Sequence, residues 1–188
     1  MRIFNFLKSR TMRLLLSLLV LFALNTAQAQ DICSKIKKDV SADKMNVDME
    51  SPYEEANQPL IRVSRSYSTN EENPFDNFYV IFRVSCDLDS IYTKDANGGQ
   101  VEKEEKKVTI EFEDHTRLTE EELKVNHDLS DDHMSAVRYA YFVVTDQNLK
   151  TLTTKGIIRF TLVGSSGLVS PELGSEVMQY VKCMKAVK

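Results

Sequence analysis

Two histidines and three aspartates stand within seven residues, in the segment HDLSDDH at positions 127–133. Imidazole and carboxylate groups bind zinc in hydrolytic sites, so His127, Asp131 and His133 are candidate metal ligands. Their spacing differs from the i, i+4 histidine pair of the helical metalloprotease motif. The segment also precedes an apolar stretch and has the composition of a turn. We therefore expect a solvated loop, with a metal site as the alternative, and we predict no cofactor.

The other polar motifs indicate turns rather than catalysis. Asp95, Asn97 and Gly98 begin like a calcium loop, but Lys106 stands where an EF-hand requires its glutamate, so we predict a hairpin turn. His115 follows a predicted strand, and no serine lies in the sequence context of a nucleophile elbow. The sequence thus favours a protein that is not an enzyme.

Three cysteines, Cys33, Cys86 and Cys183, allow one disulfide and leave one thiol over. No C-x-x-C spacing occurs, which argues against a zinc knuckle or a thioredoxin-type redox pair. Cys86 ends the apolar face of a strand, where a buried thiol packs as a small hydrophobe. Cys33 and Cys183 lie on predicted helices near the two ends of the chain. If both helices pack against one edge of the sheet, these two cysteines can meet. We predict the Cys33–Cys183 pairing, with the two Cys86 pairings as alternatives.

Tyrosines are the candidate surface anchors, namely Tyr79, Tyr92, Tyr139 and Tyr141. Tyr79 lies opposite the apolar face of its strand, and tyrosine on an exposed sheet face is a common binding anchor. The alternative is a second buried face within a sandwich. The pattern favours this second interpretation.

Period-two alternation predicts the strands that must position these residues. Five strands are clear, at residues 60–67, 78–86, 108–113, 138–144 and 157–163, and a sixth is indicated at 91–94. Short helices are predicted at 31–40 and 146–153, a capped helical turn at 119–123, a loop at 164–167, and an amphipathic C-terminal helix that begins after Ser170. We predict an α+β domain with an antiparallel β-sheet or open β-sandwich of about five to six strands, a short N-terminal helix and an amphipathic C-terminal helix.

The N-terminal segment has the three parts of a cleavable secretory signal. Four basic residues precede an eleven-residue apolar run at 14–24, and Ala27-Gln28-Ala29 supplies a cleavage site. The run is shorter than the roughly 20 residues that span a bilayer. We predict a signal peptide at 1–29, a single globular domain at 30–188 with no membrane span, and a periplasmic or secreted location. Cleavage would change the formal charge from −4 to −8, which argues against nucleic acid as a partner.

Several features make the chain resemble the small exported β-rich domain proteins of Gram-negative gut bacteria. These are the cleavage region AQAQD at 27–31, the early Cys33, the strand FYVIFRVSC at 78–86, the segment TDQNLKTL at 145–152 followed by GIIR at 156–159, and the amphipathic final helix. The resemblance implies an envelope location and a fold type. It carries over no functional residues.

The sequence therefore favours a non-enzymatic binding or interaction module of the periplasm or cell surface, with a protein or glycan of the cell envelope as its partner. One alternative is a small secreted metal-dependent hydrolase that uses the His127–His133 loop. Another is an inhibitor of envelope proteases that presents a protruding loop at 68–77 or 95–100.

Overall fold

The computed structural model describes residues 32–52, 60–129 and 135–187. The chain divides into two compact units, Met1–Lys35 and Ile36–Lys188. In the first unit, residues 32–34 are helical, and Lys35 N–H donates to the Ile32 carbonyl at 3.1 Å. The predicted signal peptide at 1–29 lies outside the described residues and stays a prediction.

The second unit is mainly β. Its strands are β1 (Lys37–Val40), β2 (Asn46–Glu50), β3 (Leu60–Ser68), β4 (Asp76–Cys86), β5 (Tyr92–Lys94), β6 (Gln100–Glu102), β7 (Glu105–Phe112), β8 (Arg117–Leu129), β9 (Ala136–Val143), β10 (Ile157–Leu162) and β11 (Ser165–Leu168). Its helices are α1 (Asp146–Thr154), α2 (Pro171–Ala186) and a short 3-10 helix, Leu88–Ser90. No helix in the described ranges is long and apolar enough to cross a membrane.

Nine strands form one antiparallel sheet in the order β1-β2-β3-β4-β9-β8-β7-β10-β11, and β5 and β6 form a separate hairpin. The prediction of an antiparallel sheet is confirmed, but the predicted count of five to six strands is wrong. Four strands of this sheet were missed: β1, β2 and β11 lie at or next to its edges, and β8 is central. Edge strands are held by backbone hydrogen bonds on one side, so they need little apolar alternation.

The predicted helix at 31–40 and the predicted loop at 164–167 are each partly replaced by an edge strand. Of the described residues in the predicted helix, 32–34 are helical, and Lys37–Val40 pairs with β2 as β1, with all four residues exposed. Ser165–Leu168 pairs with β10 as β11. Neither strand has a continuous apolar face, which is why the side-chain pattern does not reveal it.

Strand β8 makes the sheet curl because its two ends pair with different neighbours. Residues 117–125 pair with β7, and residues 126–129 pair with β9. The predicted helical turn at 119–123 is therefore wrong. Its glutamates face cations on β7 instead, with Lys107 Nζ at 2.9 Å from Glu121 and Lys106 Nζ at 3.3 Å from Glu122. Cross-strand charge pairs of this kind favour a strand over a helix.

Aromatic rings fill the space between the two halves of the curled sheet. Phe82 of β4 lies with its ring centroid 4.9 Å from Phe160 of β10 and 6.4 Å from Phe142 of β9. All three are fully buried. Phe78, Val80, Phe82 and Val84 share one buried face of β4, as the alternation predicts. This face is the core side of the sheet.

Both predicted helix starts are confirmed. Thr145 and Asn148 form a capping box at the start of α1, and the Ser170 hydroxyl accepts from Leu173 N–H at 3.2 Å at the start of α2.

Helix α2 packs on β10 and β3. At its other end, the Arg65 guanidinium donates to the carbonyls of Met184 and Val187. These bonds satisfy carbonyls that a helix C-terminus leaves unpaired.

Arg65 is held in place by an acidic partner on the neighbouring strand. It makes two hydrogen bonds of 2.8 Å to the Asp76 carboxylate and lies over the Phe78 ring, 5.6 Å from its centroid. Its hydrogen bonds hold the pKa of Asp76 below its usual value. A bidentate arginine therefore fixes the end of α2 against the sheet.

Cys33 and Cys183 are both disulfide-bonded, as the sequence predicts. Cys86 is a free thiol, also as predicted. The expectation that Cys86 is buried holds only in part, because its side chain is half-exposed at the end of β4.

We expect Gly174→Ala to destabilise the protein by about 1–3 kcal/mol through overpacking. A Cβ atom at Gly174 would lie 2.2 Å from the Ile157 carbonyl oxygen, so α2 would have to move away from β10. Urea unfolding measures the change. Gly164→Ala is the matched control, because nothing lies within 4 Å of its Cβ position. Equal stability of both variants would contradict the close packing of α2.

We expect loss of the disulfide to cost about 4–5 kcal/mol in the chain-entropy model, because it closes a loop of 150 residues between positions 33 and 183. Cys33→Ser, Cys183→Ser and the double variant should unfold at the same lower urea concentration. Cys86→Ser should stay close to the parent protein. A non-reducing peptide map that joins Cys86 to either partner would refute the pairing.

Candidate functional site

A buried ion pair joins the two halves of the curled sheet. Arg138 of β9 donates from Nε to Glu105 of β7 at 2.6 Å and also from Nη2 to its second carboxylate oxygen. Its Nη1 donates to Ser165 Oγ of β11 at 2.6 Å, and its Nη2 donates to the Ser90 carbonyl at 3.0 Å. Arg138 and Glu105 are 3% and 6% exposed, so both charges are removed from water and neutralise each other.

A polar cavity of about 720 Å³ opens beside this pair. The free thiol of Cys86 lines it, together with Ser166 and Lys103, whose amine donates to the Ser90 carbonyl at 2.9 Å. The described lining contains no histidine, and its charged residues are Asp87, Lys103, Glu105 and Arg138. The Arg138 guanidinium is already bonded to protein acceptors, which gives it a structural role.

We expect Arg138→Leu and Glu105→Leu each to cost about 3–5 kcal/mol, because each leaves an uncompensated charge in the core. The double variant should be much more stable than the sum of the two losses, since it removes both charges together. Urea unfolding of the four proteins at neutral pH measures the coupling. Additive losses from the two single variants would show that the pair does not act as a unit.

The structure places His127 differently from the sequence prediction. It lies in β8 rather than in a solvated loop, and its side chain is 9% exposed. Its ring meets Tyr92 edge to face at 6.4 Å, and Nε2 lies 3.5 Å from Glu102. His127 thus lies against the β5–β6 hairpin. The other two candidate ligands, Asp131 and His133, lie outside the described residues. Within the described residues, no group of three potential ligands is placed to hold a metal ion.

The remaining motif residues form turns. The Asp95 carboxylate accepts from Asn97 N–H at 2.9 Å and from Gly99 N–H at 2.7 Å, and Gly98 adopts a φ of 81°. This is the predicted hairpin turn between β5 and β6. His115 is exposed in the turn between β7 and β8, where its Nδ1 lies 3.4 Å from Glu111.

Three tyrosines form a continuous array on the outer face of the sheet, the face opposite the core. Tyr141 of β9 lies at its centre, with ring centroids 5.8 Å from Tyr79 and 6.0 Å from Tyr139, both edge to face. Tyr141 is 45% exposed and Val143 beside it is 47% exposed. We call Tyr79, Tyr139 and Tyr141 the tyrosine array. The interpretation as a second buried face is wrong for Tyr141, which is exposed, and Tyr79 and Tyr139 are only partly buried by the described residues.

Strand register explains why the array forms. Odd-numbered residues of β4 and β9 share the outer face, because Ile81 pairs with Tyr141 and Arg83 pairs with Tyr139. Tyr139 and Tyr141 are consecutive outer-face residues of β9, and Tyr79 is an outer-face residue of the adjacent strand β4. The three rings therefore lie in contact. Tyr92, the fourth tyrosine that the sequence singles out, lies apart on β5.

A shallow groove of about 250 Å³ runs beside the tyrosine array. Leu60 and Ile81 form an apolar floor and are 8% and 7% exposed. Arg62 of β3 and Arg83 of β4 line the groove, and Asp128 of β8 borders it on the far side of Tyr139. We call this feature the outer groove.

The surroundings of Tyr139 in the outer groove change the pKa of its phenol. Burial raises the pKa of the Tyr139 phenol above its usual value, and the nearby Asp128 carboxylate and Tyr141 raise it further. Tyr139 therefore stays protonated and can donate a hydrogen bond to an acceptor that enters the groove.

The sequence reasoning missed both arginines of the outer groove. Arg83 could have been found, because it has the same strand parity as Tyr79. Arg62 could not, because its position beside Ile81 follows from the pairing of β3 with β4.

Comparison with protein-family models, with curated proteins and with solved structures finds no match.

Proposed function

We propose that the protein is a non-enzymatic binding module of the periplasm or cell surface, and that the tyrosine array and the outer groove bind a protein or glycan of the cell envelope. The observation that carries this proposal is the contact of three tyrosines on one open sheet face, at 5.8 and 6.0 Å between ring centroids. Tyrosine and arginine dominate the energetics of binding surfaces, and this face combines them.

The size of the groove supports binding of part of a larger molecule. Pockets that enclose a whole small molecule have volumes of about 300–1,000 Å³. The outer groove measures about 250 Å³, and the exposed Tyr141 and Val143 extend the surface beyond it. An open face with a small central groove suits a macromolecule that covers the face and inserts one or two groups.

The two alternatives gain no comparable support. A metal-dependent hydrolase would need His127, Asp131 and His133 to converge; His127 lies in β8 against Tyr92 and Glu102, and the other two residues lie outside the described ranges. An envelope protease inhibitor would act through the loop at 68–77 or at 95–100, and neither loop contains a residue of the tyrosine array.

Binding of the purified protein to an immobilised cell-envelope fraction tests the proposal. We expect the Tyr79→Ala, Tyr141→Ala double variant to weaken binding by about tenfold or more, because aromatic anchors at interfaces contribute about 2 kcal/mol or more each. Its urea unfolding curve should stay close to that of the parent, since Tyr141 is 45% exposed and Tyr79 is only partly buried.

Leu168→Ala is the control, because Leu168 is 67% exposed on β11, away from the array. It should bind like the parent protein. Equal binding by all three proteins, or no binding by the parent, would exclude the tyrosine array as the functional surface.

A further inference from the structure

Arg83 is a half-buried cation in the lining of the outer groove. Within the residues that the structure describes, it has neither a hydrogen bond nor an ion pair, although it lines the outer groove and is half-buried. The nearby Arg62 differs, because its guanidinium lies 3.4 Å from Glu50 of β2. A guanidinium binds a carboxylate through two parallel charge-assisted hydrogen bonds. Arg83 is therefore the place where the face can receive an anionic group.

The charges on the outer face set the position of such a group. Across the sheet the order is Glu50, Arg62, Arg83, Tyr139 and Asp128, on strands β2, β3, β4, β9 and β8. Acidic residues thus flank a basic centre. A carboxylate is attracted by Arg83 and repelled by the acidic residues on either side. The charges therefore specify where on the outer face it binds.

The floor of the groove distinguishes a peptide from a sugar. Leu60 and Ile81 are aliphatic and offer no hydrogen-bonding side chain, so sugar hydroxyl groups placed on them would lose their bonds to water. A buried polar group without a hydrogen-bond partner keeps the full cost of its removal from water. An apolar amino-acid side chain buries the same surface at no such cost. The floor therefore favours a peptide segment over a glycan.

We propose that the outer groove docks an acidic peptide segment of a partner protein, with a carboxylate on Arg83 and a neighbouring apolar side chain on Leu60 and Ile81. This inference rests on the proposed binding function and names the class of its ligand. Tyr139 and Tyr141 form the wall against which the apolar side chain packs. The small volume of the groove admits one such side chain, which agrees with a short linear determinant on the partner.

Fluorescent twelve-residue peptides that carry one leucine flanked by glutamates test the proposal. We expect the Glu peptide to bind, and the matching Gln and Lys peptides to bind about tenfold or more weakly. Arg83→Gln should weaken binding of the Glu peptide by a similar factor. Arg83→Glu should reverse the preference, so that the Lys peptide binds better than the Glu peptide. Arg159→Gln is the control, because Arg159 is an exposed arginine on β10.

The other outcomes separate this inference from the proposed function. If Arg83 variants bind all peptides and the envelope fraction like the parent, while the tyrosine double variant still fails on the envelope fraction, the acidic-peptide inference is wrong and the binding module stands. If polygalacturonate binds in an Arg83-dependent way and the peptides do not, the ligand is an acidic glycan and the inference is overturned. If neither the tyrosine nor the arginine variants change any binding, both proposals fail.

Discussion

The buried ion pair between Arg138 and Glu105 is the constraint on which the closure of the sheet depends. It joins β9 to β7 across the core, and Arg138 also bonds Ser165 on β11 and the carbonyl of Ser90. Two charges that are almost fully buried cost several kcal/mol each to desolvate, and they recover this cost only in one geometry. A register that separated these groups would leave two uncompensated charges in the core, so the pair favours the register in which the two halves of the curled sheet close.

The other stabilising contacts pack the interior of the closed sheet and attach α2 to it. Phe82, Phe142 and Phe160 fill the apolar space that it encloses. Gly174 lets α2 approach the backbone of β10, and Arg65 fixes the end of the helix on the sheet. These groups all lie on the core-facing side of the sheet.

Alternation along the strands leaves the outer face free for a different role. In β9, Arg138 points inward to the ion pair, while the next residue, Tyr139, points outward to the groove. In β4, Phe82 points to the core and Arg83 to the groove. The groups that stabilise the fold and the proposed binding surface thus lie on opposite sides of the same strands, so substitutions on one side need not disturb the other.

The amino-acid sequence by itself determined the features that depend on local periodicity and on caps. The central strands β3, β4, β7, β9 and β10, both helix starts and the hairpin turn at Asp95 follow from residue types at short spacing. The two disulfide-bonded cysteines, Cys33 and Cys183, were also predicted correctly, from their placement near the chain ends. The tyrosines were identified as candidates, but their exposure was not.

Only the tertiary structure decided which residues meet across strands. β1 and β11 form because a neighbour offers free backbone groups, and their own side chains carry no periodic signal. The segment at 119–123 is a strand because its backbone pairs with β7, which also places Lys106 and Lys107 opposite its glutamates. The Arg138–Glu105 pair and the outer groove each join residues that are far apart in the chain. Both features result from strand register. Pairing between distant strands sets this register, and the sequence of one strand does not reveal it.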